Sequence, residues 1–177
     1  MKKKLIILLS LIAPFFISAQ TDLSVSEIPL DEEGQIRYVE LVKEDANATD
    51  LFKRCVKWIN KEYKNPSSVT PTRDMVNKKI VIRHRFNLTQ TLESGTTTST
   101  GQVMYDMEIR FKDGRYRAEM TNFVLKKTSK FPCENWLPEG TAPNSGNLQQ
   151  LDAFAKEKLD RLKEGMKPPK VYKEEEW

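Results

Sequence analysis

A single histidine, two cysteines and seven glycines are what this 177-residue chain offers to the commonest kinds of site chemistry. One His cannot by itself build the His-rich metal or acid–base constellations of many enzymes. Two Cys are too few for a disulfide-dense scaffold or a Cys-based zinc site. There is no G-x-S-x-G, S-x-x-K or H-E-x-x-H pattern and no glycine-rich phosphate loop, which removes the local signatures of several nucleophilic, metal and nucleotide sites. No metal, cofactor or catalytic residue is expected. With 38% hydrophobic and 31% charged residues, the composition is that of an ordinary globular domain.

The first residues read as an address. Lys2, Lys3 and Lys4 precede an apolar run from Leu5 to Ile17, and Ser18-Ala19 supplies small residues at its end. That is the three-part layout of a secretory signal peptide cleaved after Ala19, and the run is shorter than the ~20 residues of a spanning helix. The expected product is exported to the periplasm, outer envelope or exterior, with no transmembrane segment after cleavage. Cleavage also changes the charge. Removing three lysines from 29 basic groups leaves 26 against 25 acidic ones, so no bulk excess remains for a polyanion, and nucleic acid is not an expected partner.

Residues 20–34 read as a weakly ordered leader, 35–127 as the core, 128–147 as an irregular connector, 148–166 as a C-terminal helix and 167–177 as a charged tail. In QIRYVELV, Ile36 and Tyr38 alternate against Val39 and Leu41, a strand whose buried face is ambiguous. Asn47 or Thr49 can cap a helix whose stripe is Phe52, Cys55, Val56, Ile59 and Tyr63. Residues 69–74 form a short edge strand. Ile80, Ile82, His84, Phe86 and Leu88 then share one strand face, and a polar loop is expected at 93–101. Val103 to Phe111 alternates cleanly. Asp113-Gly114 turns the chain, and Tyr116, Ala118, Met120 and Val124 return the apolar face opposite Phe111, Ile109, Met107 and Val103. A last helix, capped by Asn147 and ended by Gly165, carries Leu148, Leu151, Ala155, Leu159, Leu162 and Met166 on one stripe. The expectation is an α+β fold, β-α-β-β-β-β-α, with five mostly antiparallel strands and both helices on one face.

The helix LFKRCVKWINKEYKNPSSV and the meander ending YDMEIRFKDGRYRAEMTNF resemble an uncharacterised family of secreted Gram-negative proteins, a domain of unknown function with a TATA-binding-protein-like (TBP-like) fold. The resemblance spans about residues 35–126 and implies the fold. It implies no activity, and the fold name does not confer DNA binding.

Three features merit weighing as sites. His84 is read as a core or edge histidine rather than a base. Asp106, Glu108 and Glu119 share the uncovered sheet face. There they form either an acid–base or cation site or, with Arg110 and Arg117 as diagonal partners, a salt-bridge lattice. Arg83, Arg85, Arg110 and Arg117, with Lys112 and Arg115 nearby, make that face a docking surface for an acidic ligand or envelope protein. The leading expectation is therefore a secreted, non-catalytic binding domain. The alternatives are an envelope hydrolase using the sheet carboxylates and a structural subunit of an envelope assembly. Cys55 and Cys133 are an even pair in an exported chain and admit a disulfide; two separately buried thiols are the alternative.

Overall fold

The computed structural model describes residues 28–168. The expected signal segment, most of the leader and most of the tail lie outside the described residues. The chain runs β1 (Tyr38–Lys43), α1 (Ala48–Glu62), a single turn α2 (Pro66–Val69), β2 (Thr72–Asp74), β3 (Lys79–Thr91), β4 (Thr97–Lys112), β5 (Arg115–Lys126), β6 (Lys130–Pro132), a 3-10 turn (Cys133–Trp136) and α3 (Ser145–Met166). The sheet is antiparallel throughout, in the order β1-β5-β4-β3-β2, with the short β6 also pairing with β5. The fold is α+β as expected, with β6 as a sixth strand.

Asn47 caps α1, its side-chain oxygen accepting the Asp50 N–H at 2.9 Å. Such a cap is worth about 1 kcal/mol. Leu51, Phe52, Cys55, Trp58 and Ile59 are buried from this helix. The β4–β5 turn clamps the same end, since the Asp113 carboxylate accepts the Ala48 N–H at 2.7 Å. Gly114 holds the positive φ of 76° that a tight hairpin needs.

α3 is capped by Asn144, whose side chain accepts the N–H of Asn147. The cap therefore lies three residues before the expected one. Gly165 does not end it either. A Cβ on Gly165 would overlap the Trp58 indole, so this glycine lets α3 cross α1 closely rather than breaking the helix.

α1 and α3 cover one sheet face and share a single core with it, in which Ile36, Ile80, Ile82, Val103, Met107, Ile109 and Met120 are buried. The hairpin pairs are as expected from Phe111↔Tyr116 through Ile109↔Ala118 to Met107↔Met120. Beyond them β5 bulges. Asn122 takes a φ of 55° and Val103 meets Leu125 instead of Val124. The extra residue reverses the faces, so Phe123 and Leu125 are buried and Val124 points outward. The expected polar loop at 93–101 is also shorter than its sequence suggests. Thr97 to Gly101 continue β4, and only Leu92–Thr96 turns the chain. Within the described residues no helix is long and apolar enough to cross a membrane.

Candidate binding face

Among the described residues no helix covers the other face of the sheet. Strand alternation puts Val39, Leu41 and Lys43 of β1 there, with Arg115, Arg117 and Glu119 of β5. From β4 come Asp106, Glu108, Arg110 and Lys112, and from β3 Val81, Arg83 and Arg85. Register arranges them in rows across the strands. Lys43 lies opposite Arg115 and Arg115 opposite Lys112. The next row is Leu41, Arg117, Arg110 and Lys79, and the next Val39, Glu119, Glu108 and Val81. Asp106 and Arg83 pair one row further on.

Each carboxylate on this face is already engaged by cations. Glu108 lies between Lys79, at 2.6 Å, and Arg110. Glu119 is ion-paired with Arg117 at 2.8 Å, and Arg37 Nε stands 2.6 Å from its other oxygen without a well-aligned hydrogen bond. Asp106 receives a two-pronged contact from Arg83, at 2.7 and 3.0 Å, and an Asn122 amide at 3.0 Å. Partial burial opposes ionisation of Asp106 and Glu108, but these partners outweigh it and hold both carboxyls below their ordinary values. The lattice forms as expected in kind, yet its arginines are not the diagonal ones. Arg110 and Arg117 reach the acid two residues away on their own strands. Among the described residues no three carboxylate, His or Cys side chains gather as a metal site.

The four arginines singled out from sequence do not form one cluster. Arg83 borders a hollow of about 320 Å³ with Met104, Asp106, Asn122, Val124 and Lys130. Arg85 lies one row beyond it, opposite Met104. Arg110 and Arg117 line a second hollow of about 300 Å³ with Leu41, Lys112, Arg115 and Tyr116. The two ends are separated by roughly 13 Å of strand. At the second end, Lys43, Arg115 and Lys112 make no ion pair among the described residues, and Leu41 is 60% exposed beside them. Lys43 and Leu41 were not legible as site residues, because the buried face of their strand is ambiguous in sequence.

His84 lies on the helix-covered face, half-buried, its ring edge-on to Tyr63 at 5.0 Å. Burial, followed by the Lys158 and Arg85 charges, lowers its pKa, so it is neutral at pH 7 and not poised as an acid. Cys55 and Cys133 are free, fully buried thiols. Of the two readings the sequence admits, a bridge or two separately buried thiols, the structure has the second. Cys55 sits among the α1 core residues, and Cys133 opens the 3-10 turn after β6.

An antiparallel sheet with helices on one face and an open, charged face on the other makes this a two-layer α+β domain. Residues 40–126 match the model of DUF4468, a domain of unknown function with TBP-like fold. Two solved structures share the fold. A TBP-like protein from Parabacteroides distasonis ATCC 8503 aligns with a TM-score of 0.64 at 14% identity, over 78% of this chain and 96% of its own. A DUF4468 family protein from Bacteroides ovatus ATCC 8483 aligns at 0.67 and 12% identity, over 84% and 95%. No curated protein matches the sequence. At these identities the likeness establishes the fold alone.

Proposed function

We propose that this chain is an exported, non-catalytic binding domain that docks an acidic partner of the bacterial envelope on the basic end of its uncovered sheet face. One observation carries the reading. Lys43, Arg115 and Lys112 stand directly opposite one another on three neighbouring strands, and none of them is ion-paired among the described residues. Like charges in that relation destabilise a sheet, and elsewhere on the same face every carboxylate has its cations. A cost left standing at one place marks a site for an anionic group, and the exposed Leu41 beside it adds an apolar contact. The engaged carboxylates leave little for acid–base work, which disfavours the hydrolase reading.

Poly-L-glutamate is a defined acidic probe. It should bind saturably and weaken with salt. The Lys112→Glu/Arg115→Glu variant should lose binding, while Arg83→Glu/Arg85→Glu, at the other end, should retain it. Binding that ignores the first pair and depends on the second would move the site to the other hollow, and no binding by any form would remove the reading. Capture from the organism's envelope fraction with the same variants then identifies the natural partner.

A further inference from the structure

Beyond the body of the sheet, β3 and β4 continue as a two-stranded ribbon. β2 flanks β3 only at Lys79 to Val81, and β5 flanks β4 only from Val103 to Lys112. The ribbon pairs Thr89↔Ser99, Gln90↔Thr98 and Thr91↔Thr97, and every residue from Thr89 to Thr100 is exposed. Free strand edges are normally guarded by Lys, Pro, inward charges or brevity. The β2 edge is guarded in this way, being three residues long with Arg73 at its centre. The ribbon is not guarded, because between Leu88 and Gln102 the only charge is Glu93 in the turn and there is no Pro.

One of its two edges is plugged. The Thr89 N–H donates to Gln150 Oε1 at 2.9 Å, and the Thr89 carbonyl accepts from Gln150 Nε2 at 3.1 Å. Both backbone groups of Thr89 therefore face away from β4, which makes Thr89 and Ser99 a pair that exchanges no ladder bonds. By the same alternation the N–H and C=O of Ser99, and those of Thr97 two residues away, point outward along the β4 edge, where none of the described strands meets them.

We infer that this β4 edge is a self-association surface, paired across a two-fold axis with the same edge of a second copy of this chain. The axis passes Thr98, so that Thr97 of each copy lies opposite Ser99 of the other and four backbone hydrogen bonds close. An antiparallel edge is self-complementary under a two-fold axis. Two copies of a neutral Thr/Ser edge meet without repulsion, whereas copies meeting through the basic rows would repel. This arrangement keeps the cationic ends of the two sheets far apart and gives one particle two acidic-ligand sites. The inference stands on the ribbon alone and survives failure of the binding reading above.

Sedimentation velocity on the exported chain over a wide concentration range tests it. A fast-exchanging dimer is expected, its fraction rising with concentration. Ser99→Pro removes an outward N–H that the hairpin ladder does not use, and Thr97→Lys/Ser99→Lys sets four lysines face to face. Both should be monomeric at every concentration with an unchanged circular dichroism spectrum, and Ser99→Ala should still dimerise. A native chain that stays monomeric overturns the inference. So does a dimer that survives both variants, or assembly into open higher oligomers.

Discussion

Glu108 and Glu119 face each other directly across β4 and β5, a like-charge pair that the sheet tolerates because each carboxylate is held by an arginine two residues along its own strand. The same rule gives opposite signs to two substitutions on this face. Val39→Glu sets a third carboxylate directly opposite Glu119 and should lower stability by up to about 1 kcal/mol. Arg115→Glu places an acid between Lys43 and Lys112 and should leave the fold unchanged or more stable by a few tenths of a kcal/mol. Urea melts at low and high salt check both, and the two effects should shrink together as salt rises.

Glu62 at the end of α1 is the most enclosed ion-pairing carboxylate, receiving Lys158 at 2.7 Å and Arg161 at 2.8 Å from α3. Burial alone would raise its pKa, but these two cations reverse that and hold the carboxyl below its ordinary value of 4.5. A depressed carboxylate stabilises the fold fully above its unfolded-state value and loses that contribution as pH falls through the folded one. Glu62→Gln should cost about 1.5–3 kcal/mol near neutrality. The gap between variant and native melts should stay constant down to about pH 5 and close in more acidic solution. A gap that widens on acidification would contradict the pairing.

Gly165→Ala separates helix propensity from packing. In an exposed helix interior this exchange stabilises by about 1 kcal/mol. Here the new methyl group would enter the Trp58 ring, so a loss of about 1–3 kcal/mol is expected. Thermal melts give the sign directly. Adding Trp58→Leu should recover part of the loss, because the two side chains share one space.

How far the sequence led depended on whether an element's neighbours were local. α1 was legible because its cap, stripe and stop lie within twenty residues. The β4–β5 hairpin was legible down to Met107 and Met120 because Asp113-Gly114 fixes the register. The bulge after Met120 was not, since its one local signal is an Asn tolerant of positive φ at position 122. Thr97 to Gly101 read as a loop because a ribbon projecting past the core has no buried face and so no apolar alternation. The basic row was only half legible. Lys112 and Arg115 flank a recognisable turn. Lys43 joins them solely through β1, where Tyr38 and Val42 compete with Val39 and Leu41 for the core.

Export can be checked without any knowledge of the partner. The lysines at 2–4, the short apolar run and Ser18-Ala19 lead us to propose cleavage after Ala19. Intact-mass analysis of the protein recovered from a native envelope should give a chain beginning at Gln20. A mature species that keeps Lys2 to Lys4 would remove export by this route.

The last prediction concerns the two thiols. Cys55 and Cys133 are both fully buried, and burial pushes both thiol pKa values well above the ordinary one, so neither is a ready thiolate. In the folded protein, alkylation of both should be slow and limited by opening of the core. In denaturant without reductant both should react completely, giving a mass increase of two labels. A bridged pair would take up none until reduced. Stability offers an independent reading. Removing a native disulfide from a small exported domain costs about 2–5 kcal/mol in addition to any packing loss, whereas two separate Cys→Ala changes each cost only the small cavity left behind. The costs of Cys55→Ala and Cys133→Ala should therefore add within about 0.5 kcal/mol, as expected for two thiols with no bond between them. If the double variant were no less stable than either single one, the two sulfurs would be acting as a unit and the bridge would be restored.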